Sequence, residues 1–418
     1  MALPQTPPIP PRPVLLISGG PMTQPLWPGL AEKYDLAFLQ PQPAQLAMEL
    51  SLPCFAITQI IDDNVREKSN NDMAHMTARL IAGMPQIYAR VNELLPTLHP
   101  AALNSKLPDW FAGYIAQHIT WQTQYLVALD VLAANRKVVG CLTHEDVAPD
   151  TRLMVAWSRA HNVPTVHMPH ANCHLLPSVR DIHRETRTDW ILAHGEYMRK
   201  FYIESGFPED HIHVTGNPVS DALYGDFLPS RSEARRVMGL PEWESADTRL
   251  WLCYVSTWGQ TTSLRSEFDA EFDAGLKAVL EFAKAKNAIF EILVHRSSAP
   301  NIEQVMTKVL TDAGVTGLVT RQHFNYMILA ADVVIAQGPS NVCLDAMTMG
   351  VPACYIQTEG FDYAHDAIPR GGTAEITALV EQALGERHWS DLLTYYNAAH
   401  PDGHATGKAL EAVLEICR

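Results

Sequence analysis

Between Ala331 and Pro352 the chain reads ADVVIAQGPSNVCLDAMTMGVP. An apolar run of strand length enters a Gly-Pro turn and then a helix-length stretch that Ser340 or Asn341 can cap. The first turn of a helix leaves backbone amides without intrahelical partners, and with a cap hydroxyl they form an anion site suited to a diphosphate. Asp345 falls one turn further in, where a carboxylate can accept the two hydroxyls of a ribose. Gly350 stops the helix and Pro352 opens the next strand. The plainer reading is a simple cap at Ser340 and a solvent-facing Asp345, and spacing alone does not separate the two.

Other groups with chemical capacity follow apolar runs in the same way. His295 and Arg296, after Glu291–Val294, offer two donors to a diphosphate, although a strand-end His also serves as an ordinary loop hydrogen bonder. His170 follows Pro164–Met168 and titrates near working pH, which suits a base. Thr143-His144-Glu145-Asp146 follows Val138–Leu142, so Glu145 or Asp146 is a rival base, or the pair caps a helix. Gly19-Gly20 permits close backbone approach, and a plain turn explains it equally well. His167, His170, Cys173 and His174 have spacings that could ligate zinc, but no second cluster completes a site, and no metal is expected. Trp110 and Trp121 stand at helical spacings and read most simply as core.

The elements that must position these groups alternate in type. Strands are predicted at Val14–Ser18, Asp35–Leu39, Val138–Leu142, Pro164–Met168, Trp190–Ala193 and His213–Thr215. Helices are predicted at Thr151–His161 and Glu196–Ser205, and residues from about 64 to 137 form a helical block whose period is plain in Met73–Leu95 and Trp110–Asn135. Tyr224–Asp247, with Pro229, Gly239, Pro241 and many charges, reads as a linker. A second rhythm runs from Leu250 to Ile356, and a helical stretch Ala374–Cys417 follows, interrupted at His400–Gly403. Alternating strands and helices imply two parallel, doubly wound sheets, whose ligands sit beyond the carboxyl ends of the strands.

Composition narrows the class. The 418 residues, 47% hydrophobic and 18% charged, can bury a large core in two or three domains. A net charge of −15 lacks the basic footprint of a dedicated nucleic-acid binder. Seven scattered Cys without a C-x-x-C pair read as free thiols in a reducing compartment. The Pro-rich start is not a secretory signal and no run is long enough to span a membrane, so a cytoplasmic location is expected.

The Ala331–Pro352 segment resembles the carboxy-terminal donor-binding motif of GT-B glycosyltransferases. Its pattern is closest to CDP-glycerol glycerophosphotransferases, capsule-polysaccharide transferases and UDP-GlcNAc 2-epimerases. Ser340, Asn341, Asp345, Gly350 and Pro352 fall on that motif, with Asn341 in place of a frequent second Ser. Tyr254–Trp258 resembles the family's APTW element, and Glu291–Arg296 its LHP strand end, with Arg296 where the proline stands. Asn162–Ala171 resembles the strand end carrying the family's His, here His170, with Ala171 in place of a Gly. Thr188–Glu196 resembles the next family element, and VTGNPVSD, ending at Asp221, resembles the 2-epimerase VTGN-x-x-x-D. The resemblance spans about residues 138–356.

The resemblance implies an α/β GT-B fold, two Rossmann-like domains facing a central cleft. Residues 1–222 would form the acceptor domain, with the helical block at about 64–137, 223–248 the linker and 249–395 the donor domain, and a helix within 396–418 would return to the first domain. It implies metal-independent transfer of a sugar from a nucleotide-diphosphate sugar, UDP being the family-typical carrier, to an acceptor hydroxyl. Ser340, Asn341, His295 and Arg296 would hold the diphosphate, Asp345 the ribose, and His323 and Phe324 would lie near the base. Thr257 and Trp258 would lie at the cleft, Gly19 and Gly20 on the acceptor side, and His170 or Glu145/Asp146 would deprotonate the acceptor. No cofactor is implied beyond the nucleotide-sugar co-substrate. The acceptor class stays open among a glycan, a small molecule and modified DNA, and a homodimer is compatible with such a chain. The alternatives are a non-hydrolysing UDP-sugar 2-epimerase, a polyol-phosphate transferase and a catalytically inactive GT-B binding protein.

Overall fold

The computed structural model describes residues 12–94, 100–145, 148–170, 186–224, 228–239, 248–256, 269–295, 301–338, 340–358, 368–385, 389–397 and 404–418. The chain divides into two compact units: Met1–Met168 with Arg187–Ile191 and Leu410–Arg418 (unit 1), and Pro169–Thr186 with Leu192–Ala409 (unit 2). Among the described residues no helix is long and apolar enough to cross a membrane.

The first sheet is built from β1 (Val14–Ile17), β2 (Asp35–Phe38), β3 (Cys54–Ala56), β4 (Val138–Thr143), β5 (Thr165–His167), β6 (Trp190–Ala193) and β7 (Ile212–Val214). Its order is β3-β2-β1-β4-β5-β6-β7. The second, in unit 2, contains β8 (Trp251–Val255), β9 (Ile289–Leu293), β10 (Gly317–Thr320), β11 (Val333–Gln337), β12 (Ala353–Ile356) and β13 (Arg370–Gly371), ordered β10-β9-β8-β11-β12-β13. In both, the chain starts in the middle, winds to one edge and crosses back, so strand order reverses at β1/β4 and at β8/β11. These are the switch points where open parallel sheets take their ligands.

The central strands are apolar along nearly their whole length because helices cover both faces. Val14–Ile17, Trp251–Val255 and Val333–Gln337 are buried at every position. The sequence rhythm predicts most strands to within about two residues, but not Cys54–Ala56 or Arg370–Gly371. Those two are short and sit at sheet edges, where no long apolar run is required.

The helical block expected at about 64–137 consists of two helices, Asp63–Leu94 and Pro100–Asn135. Val127, Ala128, Leu129 and Leu132 of the second helix pack with Val14 and Leu16 of β1 and with Met154 and Trp157 of the helix Pro149–Ala160. The segment read as a linker contains a helix, Arg231–Val237, while residues 225–227 and 240–247 lie outside the described residues. That helix belongs to the core of unit 2. Arg235 is 3% exposed, stacks its guanidinium 3.8 Å from the Trp251 ring centroid, donates to Ala330 O and faces Asp332. A high charge count suggested a solvated connection; one of those charges is instead an internal tie.

The C-terminal stretch forms helices Ile376–Gly385, Ser390–Asn397 and Ala405–Ile416, and the His400–Gly403 interruption lies outside the described residues. Asp221, the last residue of VTGNPVSD, anchors the final helix: its carboxylate accepts from Ala405 N at 3.1 Å and Thr406 N at 2.7 Å. The end of that helix belongs to unit 1, where Tyr34 Oη donates to Cys417 O at 3.1 Å. Asp221→Ala leaves two helix-start amides without their acceptor, so a stability loss of about 1–3 kcal/mol is expected, read as a lower urea midpoint. Of the six described cysteines, all free, only Cys54 is partly exposed; Cys173 lies outside the described residues.

Candidate functional site

In unit 2 the strand end that sequence singles out is held on three sides. Gln337, the last residue of β11, is buried and accepts from Tyr254 Oη at 2.8 Å. Gly275 permits that position, because a Cβ there would lie 2.1 Å from Gln337 Oε1. The chain then turns through Gly338 at φ 79°, a conformation that favours glycine, and Gly338 N donates to Ile356 O at 3.2 Å. Pro339 lies outside the described residues. Ser340 is the N-cap of the helix Asn341–Thr348: its Oγ accepts from Val342 N at 3.3 Å, and its own carbonyl accepts from Tyr355 Oη at 2.8 Å. Gly350 ends the helix in the left-handed conformation, with Val351 N donating to Ala346 O.

Asp345 lies within this helix and is not sealed from solvent. Its carboxylate has no hydrogen bond among the described residues, and burial by the surrounding protein pushes its pKa up to about 7. At the end of β8, Ser256 is 1% exposed and its Oγ has no partner among the described residues. His295 is exposed after β9. His323, exposed with φ 59°, caps the helix Phe324–Ala330 and stands edge-on to Tyr326 at 6.2 Å, while Phe324 and Asn341 are half-buried. Thr257, Trp258 and Arg296 lie outside the described residues.

In unit 1, Gly19 and Gly20 follow β1 and both make close approaches. A Cβ on Gly19 would lie 2.1 Å from Pro43, and one on Gly20 would lie 2.6 Å from the His144 ring. His144 N donates to Ser18 Oγ at 3.2 Å, and its Nδ1 lies 3.4 Å from Ser18 Oγ and from Ser18 O. Burial lowers the His144 pKa, which keeps the ring neutral at pH 7. Glu145 is half-buried and contacts Thr143 through its backbone alone. It does not cap the next helix, whose N-cap is Ala148 and whose first-turn acid is Asp150. Asp146 lies outside the described residues, as do Cys173 and His174 of the zinc reading, and His170, which falls in unit 2, is exposed. Among the described residues no group of three or more His, Cys, Asp or Glu is placed to hold a metal ion.

No family model matches the chain, and no curated protein matches it by sequence. Solved structures match it along nearly its whole length. UDP-GlcNAc 2-epimerase from Neisseria meningitidis bound to UDP-GlcNAc aligns at TM-score 0.57 and 15% identity, covering 96% of this chain and 99% of that one. UDP-GlcNAc 2-epimerase from Methanocaldococcus jannaschii aligns at 0.55 and 11%, covering 96% and 99%. Anabaena HepE in complex with UDP and glucose aligns at 0.51 and 12%, covering 97% and 98%. The fold is GT-B.

Within this GT-B chain, the residues that sequence reasoning missed share one feature. His144, Ser256, Gln337 and Tyr355 are ordinary residues in or beside apolar runs, and only the sheet register carries them to the switch-point ends. The signal available for His144 and Ser256 was position alone, directly after a predicted strand.

Proposed function

We propose that this GT-B protein transfers a sugar from a nucleotide-diphosphate sugar to an acceptor hydroxyl, without a required metal ion. The observation that carries this reading is the end of β11: a hydroxyl-capped helix start braced by Tyr355, with an unpartnered carboxylate at Asp345 in the same helix. The amides after Ser340, together with His295 and Arg296, receive the negative charge that develops on the leaving diphosphate, and Asn341 lies in the same turn. Asp345 accepts the ribose hydroxyls, and His323 and Phe324 lie toward the nucleobase. On unit 1, Gly19 and Gly20 belong to the acceptor side, where they let Pro43 and the His144 ring pack against the loop after β1. His170 or Glu145/Asp146 takes the acceptor proton, and His144, held neutral, is a further candidate for that task. The similar structures support a UDP-linked donor, since they hold UDP-GlcNAc, or UDP with glucose.

A second reading, 2-epimerisation of a UDP-sugar, is favoured by the likeness to two epimerases. Incubation with UDP-GlcNAc and UDP-glucose, with and without a panel of hydroxyl acceptors, separates the two. Acceptor-dependent release of UDP is the expected result. UDP-ManNAc formed without release of UDP selects the epimerase. Absence of both turnover and nucleotide binding overturns the proposal.

A further inference from the structure

Unit 1 holds a pocket of about 440 Å³ lined by Leu39 and Gln40 after β2, by His118, Trp121 and Tyr125 of the long helix, and by Asp150. It is within the range of pockets that take small molecules, and Asp150 stands in the first turn of the helix that follows β4. Trp121 was expected in the core; it is only partly buried and lines this wall. Its Nε1–H donates to His118 Nδ1 at 2.8 Å, so the indole presents ring surface and not a donor, and the proton of His118 sits on Nε2. Tyr125 stands edge-on to Trp121 at 5.7 Å and donates to Leu39 O at 2.9 Å, which leaves its oxygen lone pairs as acceptors.

The polar lining residues are tied to the Gly19 loop. Asp150 Oδ2 accepts from Gln40 Nε2 at 2.8 Å, and Gln40 Oε1 accepts from Gly19 N at 3.2 Å. Asp150 Oδ1 accepts from Thr151 N at 2.9 Å at the start of a helix. The carboxylate charge is therefore met by a helix start and an amide, yet each oxygen keeps a lone pair for a further donor.

We propose that this pocket binds a neutral pyranoside ring, its C–H face on Trp121 and its hydroxyls donating to Asp150 and Tyr125. A pyranose has the matching shape: an apolar face and a rim of hydroxyls that both donate and accept. A cation is a poorer match because the charge of Asp150 already has partners, and a plain hydrocarbon would bury the acceptor rim without hydrogen bonds. Gln40 is a positioning residue, fixing Asp150 relative to the loop after β1. The inference rests on the transfer reading where it names the acceptor as a glycoside; binding itself needs no nucleotide.

Saturation-transfer NMR on the full chain tests it with methyl β-D-glucopyranoside, methyl β-D-galactopyranoside and methyl N-acetyl-β-D-glucosaminide, with tetramethylammonium as the cationic competitor. At least one glycoside is expected to bind, and Trp121→Ala and Asp150→Asn each to weaken it about tenfold or more, whereas Trp121→Phe keeps it within about threefold. UDP binding, measured by calorimetry on the same proteins, stays unchanged and reports that the variants fold. Absence of binding by all three glycosides overturns the proposal. So does binding that survives Asp150→Asn and Trp121→Ala, or displacement by tetramethylammonium. Glycoside binding without any UDP binding would sink the donor reading and leave this site standing; UDP binding without glycosides would do the reverse.

Discussion

Asp345→Asn is expected to weaken UDP-GlcNAc binding by about a hundredfold at pH 8 and by little at pH 5, because two charge-assisted hydrogen bonds are at stake only when the carboxylate is ionised. In the unliganded chain that carboxylate has no hydrogen-bond partner among the described residues, and burial holds its pKa near 7, up from 3.8. It is protonated at pH 5, with about one molecule in a hundred ionised, and a ligand that requires the ionised form pays that fraction in apparent affinity. The ratio of wild-type to Asn-variant affinity should therefore rise about a hundredfold between pH 5 and pH 8, a comparison in which any change at His295 on the diphosphate cancels. UDP-GlcNAc is the suitable probe because its diphosphate is esterified at both ends and does not titrate in this window. Stability of the unliganded chain moves the opposite way. A folded-state pKa raised above the unfolded value contributes stability that is present at low pH and lost as pH rises through 7, so the Asn variant should be the more stable protein at pH 8. Calorimetric titrations of both proteins at the two pH values decide it: a wild-type-to-variant ratio that does not change with pH removes Asp345 from the ribose role.

The second large effect concerns Glu291, in the middle of β9 opposite Cys253. It is fully buried, neither carboxylate oxygen has a hydrogen-bond partner among the described residues, and burial raises its pKa from 4.5 to about 8. Arg235 draws it back down, by less than burial pushes it up, and is itself engaged with Asp332 and Ala330. The folded chain therefore holds a proton here that the unfolded chain releases above pH 4.5, and stability falls as pH rises from about 4.5 to about 8. The loss is of order 3–5 kcal/mol, since each tenfold difference in proton affinity between the folded and unfolded chain is worth about 1.4 kcal/mol. Glu291→Met, similar in length and apolar, removes it. The variant should exceed wild type by roughly that amount at pH 8 and by much less at pH 5, since the proton is then present in wild type as well. Urea unfolding of both proteins at the two pH values measures the gap, and a gap that does not widen with pH shows that ionisation of Glu291 is not what costs stability.

How much of this was legible in the chain depends on how local each signal is. Ser340, Gly350 and the strand before them are set within one strand-turn-helix unit, so a cap at Ser340 or Asn341 and a stop at Gly350 can be read in sequence order, and the structure assigns the cap to Ser340. The same holds for Gly19 and Gly20, although which atoms approach them, Pro43 and the His144 ring, cannot be read. Arg235, buried within the expected linker, and Trp121, only partly buried where core was expected, differ from their readings for one reason: burial depends on which distant residues arrive alongside. Charge count said solvent for the first, and helical spacing said core for the second.

The sequence by itself determined the alternation of buried strands and helices, the two doubly wound sheets and the capped turn after β11, because each follows from apolar runs, Gly and Pro placement and capping chemistry over a dozen residues or so. Only the tertiary structure decided that Asp221 anchors a helix almost two hundred residues further on, that Tyr355 braces the Ser340 carbonyl, and that Gln40 and Asp150 meet Trp121 and Tyr125 around one pocket. Parallel pairing joins strands through long crossovers, so the residues gathered at their carboxyl ends are remote in sequence, and no local pattern records which of them will meet.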